Sequence, residues 1–465
     1  MNCKMLNSIL KIGKEKIIFI SIFIYGLIMM FLIPTWQIPD ESTYLWMIGM
    51  SIENEEFSEI LMNSVGIHND DIIFDYSEKI DIDEQERAML KKPDYNKKDV
   101  MPKGMNLSII KHLPATMGIL LGILFGLPTY WVLQMGELAS LVFYVLICYI
   151  ALKLMPIKKE LLAMFMFVPI VIQQAGSLSY DAVLIPLCFL FISYVLNLKY
   201  TKDNISIKDF VILILIWAVI SYIKLPYCFL GLLVFVLPLE KICIQLKEIK
   251  INGDVIKKWR ILALLMLSII MLSVIFVLKS NFWIQLVLTV FAEWKIVIYL
   301  LWQTIETWYE FLIVSSIGNF GWLDTPICFG IAIITYIAFL IVSLFNSGND
   351  KKNIIKKWDA FVIWGTAVVL TFFSSIALIN HTIMVTLYGS ESATETYNLR
   401  EALYQIPYIG GLQGRYFIPF LILFFLPLPQ IKRINKKRMF IIIAIFEGLY
   451  LAYIVGLLLN RYWIY

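Results

Sequence analysis

Charge is what this sequence has least of. Of 465 residues only 16% are Asp, Glu, Lys or Arg, while 60% are hydrophobic. A soluble chain of this length carries far more polar surface, so a free-standing globular enzyme is excluded. Histidine is rarer still. The three present, His68, His112 and His381, are too few and too scattered for a zinc centre. The six cysteines (Cys3, Cys148, Cys188, Cys228, Cys243 and Cys328) form no CxxC pair, and most sit in apolar runs. They read as small hydrophobes rather than as a disulfide frame or metal site. No P-loop, GxSxG or HExxH sequence occurs, so those signatures of nucleotide, hydrolase and metalloprotease chemistry are missing. No basic stretch is interleaved with aromatics, which argues against a nucleic-acid partner. There is no internal repeat and no low-complexity tract.

What the chain has instead is long apolar runs. Ile17–Ile33, Leu138–Leu152 and Met439–Leu459 hold few or no charges, and about 17–25 such residues cross a bilayer core. Backbone in lipid must satisfy its own polar groups, so these runs are helices. Length alone suggests two or three domains; repeated crossing makes one polytopic domain over 1–465 the expectation. Lys4, Lys11, Lys14 and Lys16 precede the first run, but no small-residue cleavage site follows, so it reads as an uncleaved span.

Charge then sets the topology. Clusters at 4–16, 153–159, 199–208, 241–260, 351–357 and 432–438 hold 25 of the 39 basic residues. Basic loops stay cytoplasmic, so an even number of crossings separates each pair of clusters. Spans at about 17–36, 131–152, 159–175, 180–198, 209–223, 226–240, 260–279, 326–346, 358–381, 415–430 and 439–459 meet that condition. The expectation is an all-α integral membrane bundle of about eleven helices, N-terminus cytoplasmic. The Trp-rich stretch 282–319 either lies in the outer interface or adds two crossings, giving thirteen. Leu113–Leu127, with Pro114 and three glycines, reads as an interfacial or re-entrant helix. Outer loops fall at 37–130, 280–325 and 382–414. From Asp40 to Lys111 the first has 16 acidic residues against 8 basic ones, with a charged flexible insertion over Asn69–Lys103. Such a run is usually a solvated surface.

Polar residues at membrane depth tend to be functional. Pro39-Asp40-Glu41-Ser42 puts two carboxylates just after the first span. They read either as a helix cap or as a general base or divalent-metal ligands. Ser177-Leu178-Ser179-Tyr180-Asp181 starts a span, with Asp181 as cap or site residue. Lys224, in Tyr222-Ile223-Lys224-Leu225-Pro226-Tyr227, is the only charge between Asp209 and Glu240 and calls for a phosphate or a carboxylate. Gln413-Gly414-Arg415-Tyr416-Phe417 offers a guanidinium for phosphate, or one that merely snorkels to the interface. Gly318-Asn319-Phe320-Gly321-Trp322-Leu323-Asp324 is a further outer turn with a carboxylate, and His112 is placed to approach Asp40.

The order of these motifs resembles a family of bacterial polytopic membrane proteins whose domain is named only as of unknown function. Pro39-Asp40-Glu41, Ser179-Tyr180-Asp181 and Gly414-Arg415-Tyr416-Phe417-Ile418-Pro419 carry the likeness, over about Ile33–Pro427. That family is similar to the GT-C membrane glycosyltransferases. The resemblance implies a GT-C-like bundle in the bacterial cytoplasmic membrane, with its active face extracytoplasmic. It implies a polyprenyl-phosphate-linked sugar as donor and a cell-envelope glycan, teichoic acid or protein as acceptor. Asp40, Glu41 and Asp181 would be catalytic and would hold Mg2+ or Mn2+ if a metal is used. Lys224, Tyr227, Asp324, Arg415, Tyr416 and His112 would bind substrate. Two positions depart from the family: Tyr44 stands where a histidine is usual, and Glu137 where an arginine is usual. A lipid-linked saccharide transporter and a non-catalytic glycan- or lipid-binding partner are the other expectations.

Overall fold

The structure is a computed structural model. It describes residues 14–63, 90, 96, 98–238, 241, 244–246, 249–251, 281–346, 355–388, 399–430, 432–433 and 436–464. The span expected at 260–279, the acidic centre of the first loop and His68 lie outside the described residues.

Helices dominate the described chain. Five are long and apolar enough to cross a bilayer: Glu15–Leu32, Thr129–Leu154, Asp181–Tyr200, Lys357–Thr386 and Lys437–Tyr462. Large apolar side chains face outward from several elements: Leu215, Phe361 and Leu449 are 61%, 68% and 70% exposed. Water would penalise such faces, whereas lipid tails do not. An all-α, multi-pass membrane protein accounts for both observations.

Two compact units divide the chain. The first comprises Met1–Tyr194, Val314–Ile354 and Leu428–Tyr465; the second comprises Val195–Ile313 and Ile355–Pro427.

In the first unit, α1 (Lys14–Leu32) leads through a tight loop to α2 (Glu41–Ser51) and α3 (Phe57–Asn63). Then α4 (Ile109–Phe125) packs along α5 (Thr129–Leu154), which also packs on α1. Helix α4 is bent at His112 (φ −121°, ψ 17°), because Pro114 lacks an N–H and its ring crowds the preceding turn. Its glycines allow close approach. A Cβ on Gly118 would lie 2.1 Å from the Met135 carbonyl oxygen, and backbone cannot yield that far. Gly118→Val is therefore expected to separate α4 from α5. It should lower the midpoint of thermal unfolding in detergent by several degrees, read by tryptophan fluorescence, whereas Gly365→Ala, with nothing within 4 Å, should not.

The span expected at 159–175 is two short helices, α6 (Lys159–Phe167) and α7 (Pro169–Ala175). Val168 is extended in ψ (φ −52°, ψ 125°), as a residue before proline prefers. Helix α8 (Asp181–Tyr200) follows. Strands β1 (Asn319–Phe320) and β2 (Thr325–Pro326) pair antiparallel, Phe320 opposite Thr325, before α12 (Phe329–Leu344). Lys158 is buried with positive φ (50°); its ammonium donates to Ser343 Oγ and the Leu428 carbonyl, both at 2.8 Å. Helix α17 (Lys436–Tyr462) closes this unit against α1.

The second unit starts at α9 (Ile207–Ile223), capped by Ser206 and Asp209. What the sequence suggests as a span at 226–240 is a 3-10 helix, Leu225–Val236. It lies on α9 and α13 (Lys357–Ile376), and Trp217 Nε1 donates to the Cys228 carbonyl at 2.7 Å. The Trp-rich stretch forms α10 (Asn281–Ala292) and α11 (Trp294–Ser315). Their apolar sides (Leu286, Val290, Val297, Leu300) share a core with Ile379 of α14 (Ile379–Tyr388) and Leu403 of α15 (Leu399–Leu403). The opposite face of α11 leaves Trp294 and Trp302 more than half exposed, the pattern of an interfacial belt. A 3-10 turn, Gly414–Phe417, leads into α16 (Ile418–Phe425).

Candidate functional site: an enclosed acid pair and a cation cluster

The loop from Pro34 to Asp40 turns through two non-glycine residues with positive φ, Trp36 (69°) and Asp40 (65°). Such residues cost about 1–2 kcal/mol each and persist where surroundings hold them. Here the turn folds Glu41 back so that its Oε2 accepts the Trp36 N–H at 2.8 Å. The Trp36 carbonyl accepts Trp322 Nε1 at 2.8 Å, joining the first acidic motif to the Gly-Asn-Phe-Gly-Trp-Leu-Asp turn.

Consecutive carboxylates thus part company. Asp40 stands at the N-cap position of α2 and is exposed; Glu41 is 1% exposed. Burial pushes the Glu41 carboxyl up from the usual carboxylate range, with the Trp36 N–H opposing. The group it meets is Glu137, 3% exposed, on the first part of α5; the two carboxyls lie within hydrogen-bonding reach. Gln134, one turn earlier, bonds to Glu137. Gln173 of α7 lines the same small cavity, which is otherwise walled by Met29, Met30, Ile33, Pro34, Ile38 and Gly176.

Asp181 begins α8, and its N–H donates to Ser179 Oγ at 3.1 Å. The expected ligand set of Asp40, Glu41 and Asp181 does not gather: among the described residues no three of His, Cys, Asp and Glu are grouped to hold a metal ion. The reason is local. Adjacent residues at a helix start diverge, and only Glu41 turns inward.

His112 does not meet Asp40. Its Nδ1 donates to the Leu178 carbonyl at 3.0 Å, and its ring lies against Tyr44 and Tyr180. Burial pushes its pKa down to about 4, so the imidazole is neutral. Nε2 is buried without a partner. Tyr44 therefore brings the first and second motifs together around His112. Asp324 accepts Arg461 Nε at 2.8 Å, so its carboxylate is paired within the same unit.

The second unit gathers the remaining motifs. Lys224 ends α9 and sets its ammonium 3.9 Å from the centre of the Tyr416 ring; the Arg415 guanidinium lies 5.5 Å from the same ring. Arg415 is 5% exposed, and Tyr227, 1% exposed, donates its hydroxyl to the Tyr416 carbonyl at 2.7 Å. Tyr227 is therefore a buried brace for the Gly-Arg-Tyr-Phe turn. Two cations beside one aromatic ring make a locally positive, anion-attracting region.

Sequence reading passed over Gln134 and Gln173, and met Glu137 only as a departure. The available signal was a carboxylate inside a 26-residue apolar helix. No curated protein and no solved structure matches the chain. Residues 23–424 match the family described as DUF2142, predicted membrane protein, and the chain belongs to that family.

Proposed function

We propose that the chain is a GT-C-like glycosyltransferase, built on a bundle of about eleven crossings in a bacterial cytoplasmic membrane. It moves a sugar from a polyprenyl-phosphate donor to a cell-envelope glycan or protein on the extracytoplasmic face. The observation that carries this reading is the pair of cations, Lys224 and Arg415, set on the single ring of Tyr416. A lipid phosphate is the anion such a membrane-embedded pair suits.

In this reading Lys224 and Arg415 hold the donor phosphate. Asp40, exposed at the start of α2, is the candidate base for an acceptor hydroxyl. The hydroxyl oxygen then bonds to the anomeric carbon as the carbon–oxygen bond to phosphate breaks, and polyprenyl phosphate leaves with the electron pair. That leaving group is already a stabilised anion, so a divalent metal is optional. With purified protein in proteoliposomes and polyprenyl-phosphate sugars as donors, Asp40→Asn is expected to lower transfer about 100-fold or more. Full activity in that variant sinks the assignment of the base.

The enclosed Glu41–Glu137 pair favours a second reading, a transporter of lipid-linked saccharides, since buried carboxylates often couple ion and substrate movement. Translocation of a labelled lipid-linked sugar without chemical transfer separates the two.

A further inference from the structure

Glu41 and Glu137 face each other inside apolar walls, and among the described residues no lysine or arginine approaches either carboxyl. Two like charges cannot both persist there without compensation. A proton shared between them would satisfy one contact. Glu41 Oε1 is buried without a hydrogen-bond partner.

Gln173 adds an independent observation. It is 2% exposed, lines the same cavity, and has a partner for neither its amide oxygen nor its amide nitrogen. Buried amides are nearly always hydrogen-bonded, so an orphaned one beside two carboxyls marks a ligand position. The cavity measures about 10 Å³, room for one water-sized particle.

We propose that Glu41, Glu137 and Gln173 form a binding site for one small hard cation, of the size of Na+ or Ca2+. The donors are carboxylate and amide oxygens, which suit hard cations and not soft ones. Mg2+ suits the site less, because it gives up its water shell reluctantly and the cavity has room for about one water-sized particle. The bound charge would replace the cationic side chain that this pocket lacks. It would also tie the loop after α1 to α5 and α7, the elements that carry the three donors. This inference stands on the cavity and does not depend on glycosyl transfer.

The test uses the purified full chain in nanodiscs, first stripped with chelator in choline chloride. Thermal unfolding is then followed while NaCl, CaCl2 or MgCl2 is added, and calorimetry gives the stoichiometry. The expected result is a saturable rise in midpoint with Na+ or Ca2+ at one ion per chain, a weaker one with Mg2+ and none with choline. Glu137→Gln should weaken that response at least tenfold while remaining folded in choline, because it removes one buried charge. Gln173→Leu should weaken it as well. A parent protein indifferent to all three salts would mean that a proton alone balances the pair, and the proposal falls. A response unchanged in Glu137→Gln places the ion elsewhere and overturns it equally.

Discussion

Asp359→Ala is expected to lower the unfolding free energy by about 3–5 kcal/mol, the range for removing one partner of a buried ion pair. Asp359 sits in the first turn of α13, where its carboxylate pairs with Lys199 at the end of α8. The side chains are 4% and 10% exposed. The same carboxylate accepts the Lys356 N–H at 3.1 Å, capping the helix. Lys199 also donates to the Val236 carbonyl at 3.2 Å, and Lys241 donates to the Lys199 carbonyl at 2.8 Å. Lys199, Lys356 and Lys241 therefore converge with Asp359 as the acid among them. Without it Lys199 is left enclosed with like charges nearby. Asp359→Asn keeps a cap acceptor and should lose less. Lys199→Met combined with Asp359→Leu should recover most of the loss, since an apolar pair of similar volume avoids both desolvation penalties. Equilibrium unfolding in mixed micelles measures all four proteins. A loss below about 0.5 kcal/mol for Asp359→Ala would show a solvated pair, of the kind worth little.

Much of the fold was legible because lipid imposes a length. The runs that became α1, α5, α8 and α17 needed only a count of apolar residues. The helix start at Asp181 was readable from capping chemistry. Breaks were harder. Pro169 divides a stretch whose apolar content alone suggests one crossing, and residues 225–236 tighten into a 3-10 helix with no composition to announce it. The site was legible as a set of motifs and opaque as a geometry. Nothing local tells that Asp40 faces out while Glu41 faces in, because that follows from positive φ at two ordinary residues. Glu41 and Glu137 are 96 positions apart, and only the packing of α5 against α1 and its following loop brings them together. Asp324 looked like a site carboxylate because its partner, Arg461, lies near the far end of the chain. A charge in a membrane protein can thus be recognised from sequence as needing a partner, while the partner's identity comes from tertiary structure.

Arg415→Ala is expected to weaken donor binding about 100-fold or more if the second unit holds the donor phosphate. The geometry makes the effect specific. Arg415 lies in the 3-10 turn Gly414–Phe417, which Tyr227 braces through the Tyr416 carbonyl, so the backbone that carries its guanidinium is held in place. A preorganised fork loses little freedom when a phosphate docks, and two parallel hydrogen bonds fix the anion's orientation. Arg415→Lys keeps the charge and loses the fork, so an intermediate loss should follow. Lys224→Met should weaken binding less, because an ammonium is a point charge without bidentate geometry. Truncation of a residue only 5% exposed also risks the fold, so each variant is compared by thermal midpoint before binding is scored. Tyr227→Phe provides the control for bracing: it removes the hydroxyl that supports the turn and should reduce binding modestly without touching either charge. Binding of a fluorescent polyprenyl phosphate to nanodiscs reads all four variants. If Arg415→Ala and Lys224→Met both bind within threefold of the parent, the two cations serve the fold and not a phosphate, and the transfer reading loses the observation that supports it.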